Sequence, residues 1–451
     1  MNIRRYKLIA FIIIGIIFGG LIVPLQATAP LKPNSESSPT TLPIPEAAFD
    51  QRMSMLMRLA GFSALSTCII QDDQITWSNG YGYYDRAEKK KATIDTIYIL
   101  ASVTKTVVGT ALMQLYEQGL CALDDDVNLY LPFELRNPNF PDDPITIRML
   151  LSHTSSLNTN NQLQYYWLNF SGDPPFDFFP DPYLKEFLVP GGRYYDSTVW
   201  STTYRPGENA MYANVGFDLI SYLVQLISGE PFLDYCDAHI FTPLEMYNTS
   251  FNLSRLPIDQ VAIPYQRFAG RYYMINQLTF IYKENTPPEK NWRGRFYPAG
   301  GLYSTVSDLS HFLIAHMNEG VYHGTRILEK ETVALMHTIQ PNNTIGYGLA
   351  WMQTIVNPRL VATGHAGDLP GTDTWMLYNQ TQDIGIIYFA NGNPGYSLLL
   401  FGGYFSVSAI LNSLFTKQGN LGENTNREIP LISPLFFHQP LMTPRSLRNQ
   451  R

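Results

Sequence analysis

Cysteine is scarce: Cys68, Cys121 and Cys236 are the only three in 451 residues. None forms a Cys-x-x-Cys pair and none has a histidine at metal-ligand spacing, which argues against a zinc-type site and excludes a disulfide framework. One disulfide plus a spare thiol, or three buried thiols, remain, and we read three buried thiols. Charge is also sparse, at 15% of residues, with a net charge of −7 and no long basic run. The chain therefore lacks the electrostatic footprint of a nucleic-acid-binding protein. A phosphate-binding loop is missing too: Pro298-Ala299-Gly300-Gly301 has the glycines but neither the lysine nor the strand–helix context. No metal and no cofactor is implied. Apolar residues make up 45% of the chain, enough for a large core, and this excludes global disorder.

One uncharged apolar run stands out, residues 8–23, preceded by Arg4, Arg5 and Lys7. A basic flank before an apolar segment marks export or anchoring. Ala27-Thr28-Ala29 resembles a signal-peptidase site, but Pro30 disfavours cleavage there. We expect residues 1–29 to be a signal peptide or, with a slight lean, an uncleaved membrane anchor. Both place the bulk of the chain outside the cytoplasm, secreted or anchored, because positive charge stays inside. Residues 30–46 read as a Pro/Ser-rich linker, 47–416 as the folded domain and 417–451 as a polar tail.

Within the domain, alternating apolar stretches predict a hairpin near 62–70 and 75–84, and further strands near 345–353, 359–364, 373–379 and 383–390. Helical periodicity predicts helices over 102–119, 145–152, 215–228, 232–241, 307–318, 330–338 and 406–415. Residues 158–200, rich in Asn, Tyr, Phe, Pro and Gly, read as a long irregular insertion. Strands at both ends with helices between them predict an α+β domain. Its antiparallel sheet is flanked by helices, and the N-terminal strands join the C-terminal ones.

The chemistry starts at Ser102-Val103-Thr104-Lys105. On a helix, the hydroxyl and the amine share one face. A helix start also offers positive potential and free N–H groups for an oxyanion. Apolar surroundings lower the pKa of a lysine until it can act as a base. Alone, Ser-x-x-Lys also describes an N-cap serine beside a surface lysine, and this is the commoner meaning of a lone match. Two further motifs follow in order: Tyr212-Ala213-Asn214, then Gly364-His365-Ala366-Gly367-Asp368.

Together these resemble the serine β-lactamase and penicillin-binding protein superfamily, in its class C, β-lactamase-related branch. Supporting segments are Leu150-Leu151-Ser152-His153-Thr154, Arg205-Pro206-Gly207, Pro298-Ala299-Gly300-Gly301-Leu302 and Gly346-Tyr347-Gly348. The resemblance covers roughly 48–416. It implies a β-lactamase/transpeptidase-like fold with an all-helical subdomain, and a serine hydrolase acting through an acyl-enzyme. Ser102 is then the nucleophile. Lys105 accepts or relays its proton, with Tyr212 as the alternative base and as acid for the leaving group. Asn214 hydrogen-bonds Lys105 or the substrate amide, and His365 and Gly367 bind substrate, with His365 pointing into the cleft and Gly367 admitting the substrate backbone. The N–H groups of Ser102 and Asp368 form the oxyanion hole. His153 is read as structural. His-x-Gly replaces the family's Lys-Thr-Gly, removing a fixed cation, and Asp368 adds a negative charge. Esters or small amides and peptides fit better than β-lactams. D-alanyl-D-alanine carboxypeptidase or β-lactamase activity, and a non-catalytic binding protein, are the alternatives.

Overall fold

The computed structural model describes residues 45–158, 182–268, 270–274, 297–393 and 400–417. The chain divides into residues 1–42 and a compact unit over 43–451, which holds every described residue. The segment read for export or anchoring, most of the stretch read as a linker, the heart of the 158–200 insertion and the polar stretch beyond 417 lie outside the described residues.

The main sheet has seven strands: β1 (Ala64–Gln71), β2 (Gln74–Asp85), β3 (Lys90–Lys91), β4 (Met352–Asn357), β5 (Leu360–Leu369), β6 (Thr372–Asn379) and β7 (Ile384–Ala390). Their order is β4-β5-β6-β7-β1-β2-β3, antiparallel throughout. β1 lies beside β7, with Leu65 opposite Ala390 and Ile69 opposite Ile386. The N-terminal hairpin thus completes a sheet begun by the C-terminal strands.

The centre of this sheet is covered on both sides, which explains why β7 is apolar without alternation. Ile384, Ile386 and Tyr388 pack on one face with helices α1 (Glu46–Ala60) and α5 (Leu400–Thr416). Ile387 and Phe389 face the opposite core, which includes α2 (Thr104–Glu117), α3 (Asn214–Ser228) and α4 (Val306–Met317). The period of two along the strand sorts its side chains between two cores. Helix α1 buries Phe49, Met53, Leu56, Met57 and Ala60 along one stripe. Lys417 Nζ sits 4.8 Å from the Phe49 ring and 5.0 Å from the Trp77 ring, tying the end of α5 to the start of α1.

Several sequence readings need correction. Residues 344–351 form turns rather than a strand, and β4 begins only at Met352. The Asn343 side chain accepts from the Ile345 and Tyr347 N–H groups at 3.2 and 2.9 Å, and Ala350 takes φ +66°. Those local bonds bend the chain where β propensity alone favours extension. Helix α1 was not anticipated. The insertion carries a short helix at Pro182–Leu188. The helix read over 232–241 is α-helical to Cys236 and a π-turn beyond it. All three cysteines are free and buried, as expected. Among the described residues, no helix is long and apolar enough to cross a membrane.

Helix α2 crosses the turn at Ala350 closely: a Cβ on Gly109 would meet the Ala350 Cβ at 2.4 Å. Gly109→Ala should therefore destabilise by about 1–3 kcal/mol through overpacking, outweighing the gain in helix propensity. Thermal unfolding checks this, and an unchanged or raised Tm would contradict it.

Candidate active site

Ser102 lies in a 3-10 turn, Ala101–Val103, that runs directly into α2. Ala101 takes φ +48°, a left-handed conformation that costs an alanine energy and needs its surroundings to hold it. The Leu100 N–H donates to the Leu302 carbonyl at 2.8 Å. Thr374 Oγ1, on β6, donates to the Leu100 carbonyl at 2.7 Å. β5 presses on the same turn: a Cβ at Gly367 would lie 2.3 Å from the Leu100 oxygen and 2.3 Å from Thr374 Oγ1. The sequence reading assigned this glycine to substrate approach. The approach seen in the structure is to Leu100 and Ala101, the residues that aim Ser102.

Lys105 is wholly buried in the first turn of α2. Its Nζ lies 3.0 Å from Ser102 Oγ and donates to the Ala299 carbonyl at 2.5 Å. The ring centres of Tyr212 and Phe217 are 5.1 and 5.6 Å from the same nitrogen. Burial lowers its pKa from 10.5 to about 7, against an opposing pull from the Asp218 carboxylate. At neutral pH a large fraction is therefore free amine, the form that can take a proton.

The Tyr212 segment is clamped by His153. The Met211 N–H donates to the His153 carbonyl at 2.7 Å. The Ala213 N–H donates to His153 Nδ1 at 3.1 Å, and the His153 and Tyr212 rings lie 4.3 Å apart. Holding that segment is a structural job, in line with the reading of His153. Asn214 opens α3 and is buried, and its Oδ1 has no hydrogen-bond partner among the described residues.

His365 departs from expectation. Its ring does not project into an open cleft; it is wholly buried. Nε2 bonds the Tyr347 hydroxyl, and Nδ1 lies 2.5 Å from the Ala366 carbonyl. Burial, followed by the charge of Lys105, pushes its pKa to about 3, so the ring is neutral at physiological pH. Asp368 is exposed and bonded by the Asn393 side chain. It sits opposite Asp373, whose pKa burial raises to about 8. β4 stops pairing with β5 at Gly364. The stretch from His365 to Leu369 is thus uncovered by β4 and borders the Ser102 turn.

Ser102, Lys105 and Tyr212 thus meet in one cluster, and His365 joins it through Tyr347. Two members were not anticipated. Tyr347 stood inside a segment already singled out, but no spacing rule linked it to the site. Asp218 is the single charged residue of α3 and is buried, with both carboxyl oxygens unbonded among the described residues. Burial raises its pKa well above the usual range, with Lys105 opposing. A lone carboxylate in an apolar helix was the signal available.

An antiparallel sheet flanked by helices carries a half-buried serine beside a buried lysine at a helix start. The family model described as Beta-lactamase matches residues 49–400, and the chain belongs to that family. It is 26% identical over 343 residues to Protein flp of Staphylococcus aureus (strain MW2), covering 73% of this chain and 60% of that one. The chain thus spans less than two thirds of that relative's length. The octameric penicillin-binding protein homologue from Pyrococcus abyssi superimposes with a TM-score of 0.63 at 23% identity, covering 82% of this chain and 78% of that one. The D-amino acid amidase from Ochrobactrum anthropi SV3, complexed with L-phenylalanine amide, gives 0.60 at 20% identity, covering 82% and 99%. At these identities the two structures speak for the fold alone.

Burying Lys105 works against stability. Its pKa is about 10.5 unfolded and about 7 folded. Below pH 7 the folded state carries the full penalty, which shrinks as pH rises towards 10.5. Lys105→Met should be more stable than wild type by a few kcal/mol at pH 6, with the gap closing by pH 10. Denaturant unfolding at the two pH values measures this, and a constant gap would contradict it.

Proposed function

We propose that this protein is a serine hydrolase that forms an acyl-enzyme on Ser102, acting on esters or on small amides and peptides. The observation that carries this reading is Lys105 Nζ, buried and 3.0 Å from Ser102 Oγ, with a pKa brought to about 7. Ser102 Oγ attacks the acyl carbonyl and its proton passes to the Lys105 amine. The oxyanion is received by the N–H groups of Ser102 and Asp368. Tyr212 delivers a proton as the leaving group departs, and water then releases the acyl group by the reverse traffic. Asn214, whose buried amide oxygen is unbonded among the described residues, takes a substrate N–H in this reading.

Substrate class follows from charge. His365 is neutral and an aspartate, Asp368, follows it, so among the described residues the third motif offers no fixed cation to a carboxylate. Neutral or cationic acyl groups are favoured over anionic β-lactams. The family membership and the amidase-like fold support this reading without specifying a substrate. The domain is placed outside the cytoplasm, secreted or held by its N-terminal segment, on the charge pattern before residue 8.

Intact-mass spectrometry after incubation with a fluorophosphonate tests the nucleophile. One adduct on the wild type and none on Ser102→Ala is expected; no adduct on folded wild type would leave a binding protein. A chromogenic ester should turn over, and a cephalosporin should not. The adduct rate should rise with pH to half its maximum near pH 7, following the Lys105 amine. In Asp218→Asn the carboxylate that raises the Lys105 pKa is gone, so the midpoint should move to lower pH. A midpoint that stays put or moves up would remove Asp218 from the site's electrostatics.

A further inference from the structure

Outside the catalytic cluster, three buried ring nitrogens have no hydrogen-bond partner among the described residues: His316 Nδ1, His337 Nε2 and Trp351 Nε1. Their rings pack as one group. The His316 and Trp351 ring centres are 4.4 Å apart, those of His337 and Trp351 4.5 Å, and those of the two histidines 5.5 Å. His316 and Trp351 are 2% and 0% exposed. Each ring comes from a different element: His316 from α4, His337 from the end of the helix Lys330–His337, and Trp351 from the turn before β4. The Leu349 N–H donates to the Met336 carbonyl at 2.8 Å and holds that turn against the helix end. A buried polar atom left unbonded is costly, and internal water is the usual remedy where several such atoms meet.

The second nitrogen of each histidine is already engaged. His316 Nε2 lies 3.2 Å from Thr110 Oγ1 on α2, and His337 Nδ1 lies 2.7 Å from the Tyr378 hydroxyl on β6. Burial lowers the His316 pKa well below the ordinary range and brings that of His337 to about 3, so both rings are neutral at pH 7. A neutral imidazole has one N–H and one lone pair, and an indole nitrogen only donates. One molecule that accepts once and donates twice satisfies all three nitrogens. Water is that molecule. Within hydrogen-bond reach of a ring nitrogen it sits about 4 Å from the ring centre, and three centres this close together share such a point. A metal ion fits the donors poorly: the indole is no ligand, and two imidazoles are too few for a tetrahedral site.

We propose that His316, His337 and Trp351 bind one internal water, which accepts from Trp351 Nε1 and donates to His316 Nδ1 and His337 Nε2. The histidine protons then sit on the outer nitrogens, at Nε2 of His316 facing Thr110 and at Nδ1 of His337 facing Tyr378. The water joins α4, the helix Lys330–His337 and the Trp351 turn. Through Thr110 it also braces α2, the helix that follows Ser102. Gly109 beside Thr110 packs closely on Ala350 beside Trp351, so the brace and the tight crossing of α2 belong to one joint.

The water site is independent of the hydrolase reading, and its test needs no turnover. The full-length chain is labelled with 15N-histidine and 15N-tryptophan and studied by NMR at pH 7, each ring signal being assigned from its own backbone resonances. The Trp351 indole N–H should show a cross-peak to water with the sign of a long-lived bound molecule rather than of proton exchange. The imidazole spectra should place the protons on His316 Nε2 and His337 Nδ1. His316→Phe keeps a ring and removes one acceptor, and should abolish the water cross-peak. A wild-type Trp351 without that cross-peak, a proton on His316 Nδ1 or His337 Nε2, or a cross-peak that survives in His316→Phe overturns the proposal. So does a stoichiometric metal, measured by plasma mass spectrometry, that disappears in His316→Phe. The wild-type spectra decide the matter even if the variant does not fold.

Discussion

A lysine amine kept away from water organises this domain. Lys105 is enclosed by the Tyr212 and Phe217 rings and the Ala299 carbonyl, and Ser102 is the hydroxyl beside it. Desolvation brings its pKa to about 7. The same burial makes the site unfavourable to fold around, so the rest of the structure must supply the difference. A core on each face of the seven-stranded sheet does so, with α1 and α5 outside and the helical layers inside.

The nucleophile's turn shows how that scaffold is used. Ala101 is held at positive φ between Leu302, Thr374 and the closely approaching β5. Strain of this kind persists only where surrounding contacts over-determine it. Gly367, His365 and Asp368 lie along one stretch of β5, and each serves the site differently. The first admits the turn, the second bonds the Tyr347 hydroxyl within the core, and the third faces solvent.

Much of this was legible in the linear chain, for physical reasons. Strands β1, β2, β6 and β7 declare themselves by alternation or by continuous apolar runs bounded by turn residues. Ser102 and Lys105 are one helical turn apart, so their proximity is local and independent of the fold. Helix α1 carries its own signal in the buried stripe Phe49, Met53, Leu56, Met57 and Ala60, next to the Pro/Ser-rich stretch. The 344–351 stretch was misread because side-chain capping by Asn343 and the contacts of α2 at Ala350 outweigh β propensity there.

By itself the sequence determined the periodicities, the serine–lysine pair, the single carboxylate of α3 and the order of three motifs, because each depends on neighbours within a few residues. Only the tertiary structure decided the orientation of His365, the pairing of Tyr347 with it, the tilted contact of the His153 and Tyr212 rings and the true neighbour of Gly367. Those contacts join residues far apart in the chain, and burial, not residue type, sets their protonation. A histidine in a sequence has two nitrogens and no assigned proton; the Ala366 carbonyl beside it supplies the assignment.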